Sequence, residues 1–198
     1  SRETVFRNSV NALIASVLDG SDLVSVVGAK IDLASVIDMM VLIFATQDID
    51  QLRNNYILAS YDGQKWFLSA YDMNQNFIAA DAGFKVVPAT ELSLGIDSGT
   101  YDYLKSHALY RRILETPETL TIFKARWAEL RATVLSDFAV NARLANITNQ
   151  VSPQAYEAEV RRWPMYGYHS EVWDSEAVMA RYRMQVALCD AAVNSLTA

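Results

Sequence analysis

Residues 48–77 read DIDQLRNNYILASYDGQKWFLSAYDMNQNF, and the pattern of this stretch decides the fold. Two aromatic and β-branched runs, NYILASY (55–61) and KWFLSAY (65–71), flank Asp62-Gly63-Gln64. Such runs favour extended backbone, and Asp-Gly favours a chain reversal, so the stretch predicts a β-hairpin. A hairpin returns its second strand beside the start of its first. Asn55 enters the first strand and Asp72 leaves the second, so the two are expected together at the open end. Asp50 lies across the loop mouth, in the polar run that leads into Asn55.

Working outward, the flanking sequence is helical. Residues 4–18 place Val5, Val10, Leu13, Ile14, Val17 and Leu18 near one face, and Asp19-Gly20 is a stop signal. A second helix is expected from about Asp32 to Thr46; its tail VIDMMVLIFA is apolar on nearly every side, Asp38 excepted. A helix of that kind belongs in the middle of a lobe. Residues 80–100, with Pro88, Gly95 and Gly99, read as a long irregular loop, and helical patterning resumes near Tyr101. Thr116-Pro117 predicts an N-cap followed by proline at the first helical position. The capping box is incomplete, since Thr119 stands where Glu or Gln would be. That helix is expected to run through Trp127 and Leu130 toward Phe138. Ser152-Pro153 opens another, which Pro164 stops, and a last one covers about Ser175 to Ser195. The expectation is an α+β, mostly helical fold: one short hairpin embedded among six or seven helices, in a single domain spanning 1–198.

Composition excludes several classes. The 198 residues are 52% hydrophobic and 20% charged, with only seven Gly and four Pro, as in a folded globular chain. The net charge of −6 argues against a general nucleic-acid or anionic-membrane binder. The basic clusters Lys124–Arg126 and Arg161–Arg162 read as solvated helix faces. The longest apolar run, Met39 to Ala45, is far short of the ~20 residues of a membrane span. Cys189 stands alone in an apolar helical pattern, so it forms no internal disulfide and is expected to pack as a small hydrophobe. His107 and His169 have no ligand companions nearby in sequence and read as surface or satisfied core histidines. The sequon Asn146-Ile147-Thr148 reads as a chance match. No signal peptide is visible at Ser1, and the opening SRETVFRNSV reads like the interior of a longer chain. Trp163, Tyr166, Tyr168 and Trp173 cluster around Pro164 and Gly167, which suits core packing and loop closure or an aromatic platform for a sugar or peptide.

The chemistry sits in the hairpin stretch. Asp50, Asn55 and Asp72 are two carboxylates and a carboxamide, all hard oxygen donors of the kind Mg²⁺ takes alongside phosphate oxygens and water. Phosphoryl transfer needs cations that neutralise phosphate charge and a carboxylate that orients the attacking hydroxyl. Protein kinases present these groups in a fixed order: a catalytic-loop Asp, four residues, a metal-binding Asn, a hairpin and a metal-binding Asp. This chain has the same order, although Asp and Asn also cap turns and end strands routinely.

The strings DQLRNNYILA and DGQKWFLSAYDMNQNF resemble the CotH kinase family, whose members carry D-x-x-x-N-N before a strand and a G-K-W strand ending in W-D-M-D or similar. HALYRRILETPETLTIFKARWAELRATVLS and AYEAEVRRWPMYGYHSEVWDSEAVMARYRMQ are similar to the family's later segments, so the resemblance spans about residues 5–195. It implies the C-lobe of a protein-kinase-like parent that uses Mg²⁺ and ATP to phosphorylate a protein acceptor, a reaction not expected of this chain alone. In that reading Asp50 is the catalytic carboxylate, and Asn55 and Asp72 hold the cofactor and its metal. Asn74 stands where the family commonly has a second acid; its amide oxygen still ligates a metal but brings no charge, and Tyr71 replaces the usual Trp. No kinase-type N-lobe is readable before Asp50, where Lys30 is the sole lysine and sits at a helix start. The alternative is a non-catalytic binding or structural module of a secreted, cell-surface or virion-surface protein with a degenerate site. The resemblance also implies an extracellular, cell-surface or spore-surface setting and a protein acceptor or surface partner, while net charge and apolar run length lead to the expectation of no nucleic acid and no membrane span.

Overall fold

The computed structural model of the chain describes residues 2–46, 48, 51, 55–73, 104–162 and 175–197. Helix α1 (Arg2–Leu18) ends at Gly20, whose φ of 80° is the left-handed conformation that glycine adopts freely. A single π turn, Leu23–Val27, follows; Asp22 caps it by accepting the Ser25 amide at 2.7 Å. The sequence gives no warning of this turn, because five residues are too few for a periodic signal. Helix α2 (Leu33–Thr46) is the centre of the molecule, with nine of its fourteen residues buried.

Strands β1 (Tyr56–Ala59) and β2 (Phe67–Ala70) pair antiparallel, with Tyr56 opposite Ala70 and Ala59 opposite Phe67. The predicted hairpin is present, with shorter strands and a longer reversal through Ser60–Trp66. Asp62 organises that reversal by accepting the amides of Gln64 (2.8 Å) and Lys65 (2.9 Å), and Gly63 takes a φ of 73°. Those two amides and the Ser60 hydroxyl hold the Asp62 carboxyl below its ordinary pKa. Trp66 then locks the hairpin to the preceding chain. Its amide donates to the Lys30 carbonyl (2.8 Å), its carbonyl accepts the Asp32 amide (2.7 Å), and its indole donates to Ser9 Oγ (2.9 Å). Phe6 packs edge-on against the same ring at 5.5 Å.

The C-terminal helices are α3 (Ala108–Glu115), α4 (Pro117–Ala132), α5 (Asp137–Thr148), α6 (Pro153–Arg162) and α7 (Ser175–Ser195), and α4 and α7 pack on α2. Phe44 of α2 meets Phe123 and Trp127 of α4, each edge-on with ring centres 6.1 Å apart. The Phe44 carbonyl accepts from Gln185 Nε2 (3.0 Å) and Cys189 Sγ (3.1 Å) of α7. Cys189 is buried as expected of a small hydrophobe, and burial pushes its thiol pKa up to about 12. Arg112 of α3 donates to the Ser16 (3.1 Å), Val17 (2.9 Å) and Ser21 carbonyls, satisfying the C-terminal end of α1. No described helix is long and apolar enough to cross a membrane.

The structure corrects several helix details. The helix expected to run on toward Phe138 stops at Ala132, and Ser136 opens α5 by accepting the Ala139 amide at 3.2 Å. Thr133 and Val134 are β-branched and favour leaving the helix, and Ser136-Asp137 is itself a start signal that the apolar pattern overrode. Thr116 does occupy the N-cap of α4, yet its hydroxyl caps nothing; the buried Thr119 hydroxyl reaches the Ile113 (2.9 Å) and Thr116 (3.2 Å) carbonyls instead. Lys124 and Arg126 are more than a solvated face. Lys124 Nζ donates to the Leu196 carbonyl at 2.6 Å, and Arg126 grips Asp38 of α2 through two bonds at 2.6 and 3.0 Å. Those carboxylate contacts raise the guanidinium pKa further. The loop expected at 80–100, the Pro164 stop, the Trp163–Trp173 aromatic cluster and His169 lie outside the described residues.

Two expectations follow from this packing. Ile43 is fully buried in α2, so Ile43→Ala will cost about 2–5 kcal/mol of stability, measured by urea unfolding. His107 stacks on Tyr110 at 4.3 Å, and burial lowers its pKa. The folded state therefore binds a proton less readily than the unfolded one, so stability is intact above the ordinary histidine value of about 6.5 and falls as pH drops below it. Urea titrations at pH 7 and 5 will show a loss in wild type that His107→Phe reduces, by no more than the single-proton limit of about 1.4 kcal/mol per pH unit.

Candidate functional site

The site begins where α2 ends. The Thr46 hydroxyl turns back to the Leu42 carbonyl (2.8 Å) and accepts the Asp48 amide (3.4 Å), so the chain leaves the helix already directed. Asp48 and Gln51 are both fully buried, and the Gln51 amide donates to the Asp48 carbonyl at 3.3 Å. The Gln51 carboxamide crosses to the far strand, where Nε2 donates to the Tyr71 carbonyl at 2.8 Å.

The hairpin then supplies the pair the sequence points to. The Tyr71 amide donates to the Asn55 carbonyl at 3.0 Å, which carries the ladder one step past Tyr56 and Ala70. Beyond it, Asn55 Nδ2 donates to the Asp72 carbonyl at 3.0 Å. Asp72 is the single non-glycine residue at positive φ among the described residues, at 49°. The left-handed region costs an L-residue roughly 1–2 kcal/mol, and such outliers gather at functional sites. Its side chain is exposed to solvent.

Of the residues expected to carry chemistry, Asn55 and Asp72 are therefore together, and Asp50 and Asn74 lie outside the described residues. Sequence reasoning missed Gln51. A lone polar residue in a polar loop carries no signal of burial, and only the fold shows what it holds. Among the described residues no group of three or more His, Cys, Asp or Glu side chains converges. The donors available are one carboxylate and one carboxamide oxygen. That set suits a hard cation that keeps water and phosphate oxygens for the rest of its shell, and it does not suit zinc. A separate cavity of about 400 Å³ between α1, the hairpin and α3 is lined by residues such as Leu13, Leu58, Leu68 and Leu109. Its lining is apolar apart from Tyr56, His107 and Tyr110, which is no surface for a phosphate.

A buried helix, a polar loop, a metal-suited Asn, a hairpin and a closing Asp follow one another in the order found in kinase-related domains. The family model described as CotH kinase protein matches residues 2–185, and the chain belongs to the CotH kinase family. No curated protein and no solved structure matches the chain. Family membership makes the function kinase-related in general terms.

The conformation of Asp72 is open to a direct check. Asp72→Gly will be more stable than Asp72→Ala by about 1 kcal/mol in chemical denaturation, because glycine carries no Cβ penalty at this φ. Equal stability of the two variants would mean that the left-handed turn is not held in solution.

Proposed function

We propose that this domain belongs to a protein that transfers the γ-phosphoryl group of ATP to a protein hydroxyl, with Asn55 and Asp72 holding Mg²⁺. The observation that carries the reading is the 3.0 Å bond from Asn55 Nδ2 to the Asp72 backbone carbonyl, which brings the two residues together at the mouth of the hairpin. Family membership and the loop order support it. When bound, Mg²⁺ and ATP supply the transferable group and the cationic charge that neutralises it.

The chain's own residues divide the remaining work. Asp72 contributes the one full negative charge of the pair, and Asn55 an oxygen without charge, so the cation stays electron-poor toward phosphate. Asp50 orients the acceptor hydroxyl and takes up its proton, and Asn74 adds a neutral ligand where a second acid is usual. Positioning is most of what such a site supplies. An extracellular, cell-surface or spore-surface setting goes with this proposal.

Calorimetry with ATP and Mg²⁺ tests it. The full-length protein will bind the nucleotide only when Mg²⁺ is present, Asp72→Ala will lose that binding, and Asp50→Asn will keep it while losing phosphoryl transfer by 100-fold or more, on the order of a general-base contribution. Absence of metal-dependent nucleotide binding by the full-length protein would sink the reading. Surface-partner binding that survives both Asp50→Ala and Asp72→Ala would then favour a non-catalytic module.

A further inference from the structure

We propose that Gln51 is the positioning residue of this site, holding Asp72 in its left-handed conformation and so aiming its carboxylate. The inference rests on the metal reading above for its purpose, and on geometry alone for its substance.

The torsions of a residue are set by the two peptide planes on either side of its Cα. For Asp72 those planes carry the Tyr71 carbonyl and the Asp72 carbonyl. Gln51 Nε2 binds the first at 2.8 Å and Asn55 Nδ2 binds the second at 3.0 Å. The Tyr71 amide, bound to the Asn55 carbonyl at 3.0 Å, fixes the approach to the pair. Two carboxamides thus clamp both planes, and the result is a φ of 49° that an aspartate does not adopt by preference.

The two clamps differ in a way that assigns the holding role to Gln51. Asn55 is partly exposed and its carboxamide has a second use as a ligand, so its bond to Asp72 competes with water. Gln51 is fully buried, twenty residues distant from Tyr71 in sequence, and its donor has no water to turn to. Its Oε1 is also buried without a hydrogen-bond partner among the described residues, so the side chain is kept there for its donor. Gln185 provides an internal comparison. It too is a buried glutamine with Nε2 on a backbone carbonyl and an Oε1 without a partner, yet it lies in α7 and its donor goes to Phe44 and Cys189 rather than to the hairpin.

The experiment pairs Gln51→Met with Gln185→Met, each of which keeps the length of the side chain and removes the donor. Two readouts are taken: amide exchange at Tyr71 relative to Ile57 and Ser69, the next hydrogen-bonded pair of the ladder, by NMR, and Mn²⁺ affinity by paramagnetic relaxation. Gln51→Met will speed exchange at Tyr71 at least tenfold with Ile57 and Ser69 unchanged, and will weaken Mn²⁺ binding at least tenfold. Gln185→Met will lower the melting temperature and leave both readouts at wild-type values. If Gln51→Met lowers only the melting temperature, with Tyr71 exchanging no faster than the strand residues, Gln51 is a core residue and the proposal is overturned. If wild type takes up no Mn²⁺, the metal reading fails separately, and the exchange comparison alone decides whether Gln51 holds the turn. Should Gln51→Met not fold, wild type still answers. Titrated Mg²⁺ will shift the Gln51 carboxamide protons and the Asp72 amide with one dissociation constant, and a shifted Asp72 amide beside an unmoved Gln51 carboxamide overturns the assignment.

Discussion

A helix that is apolar on nearly every side has to be covered on every side, and α2 imposes that requirement on the rest of the molecule. Strand β2 takes one flank, α4 another and α7 a third, with Phe44 touching aromatic rings of α4 and polar groups of α7 at once. The single charge on the helix, Asp38, lies at the surface and is met by Arg126 of α4. Removing α2 from the centre would leave the hairpin, α4 and α7 with no common partner. The helix is also what delivers the polar loop, since its last residue, Thr46, already bonds the loop's first described amide.

The hairpin is too short to be stable by itself, and three independent attachments compensate. A two-stranded ribbon is marginal in water. Here Trp66 is built into the chain between α1 and α2 through both its backbone groups and its indole. Ser35 of α2 accepts the Leu68 amide at 3.1 Å, and Gln51 reaches Tyr71. The closed end and the open end are therefore both fixed, the first by Trp66 and the second by carboxamides. Only with both ends fixed can the conformation of one residue, Asp72, be specified against its own backbone preference.

Much of this was legible in the sequence, and the illegible part has physical reasons. The Asp-Gly reversal, the alternating aromatic runs and the all-round apolar helix are local signals, and each was placed within a few residues. The adjacency of Asn55 and Asp72 followed from hairpin geometry, which leaves little freedom once the strands are known. The break between α4 and α5 was hidden because Leu130, Leu135 and Phe138 continue a helical apolar rhythm across it, although Phe138 is exposed in the structure. The role of Arg126 was hidden because its partner, Asp38, lies 88 residues away and charge patterning sees only neighbours. Gln51 was the hardest of all, since its burial and its bond to Tyr71 are set wholly by tertiary packing.

The identity of residue 55 can now be argued from atoms. The bond to the Asp72 carbonyl needs a donor, and a carboxylate at position 55 has none. An aspartate there would face the Asp72 carbonyl with a repelling oxygen, so the turn would lose that bond. Asparagine supplies the donor through Nδ2. At position 72 the logic is reversed. There the backbone carbonyl takes the hydrogen bond, and the side chain is left to carry the charge. The order Asn then Asp across the hairpin is therefore one in which the first residue gives its side-chain donor to the backbone of the second, and the second leaves its carboxylate exposed.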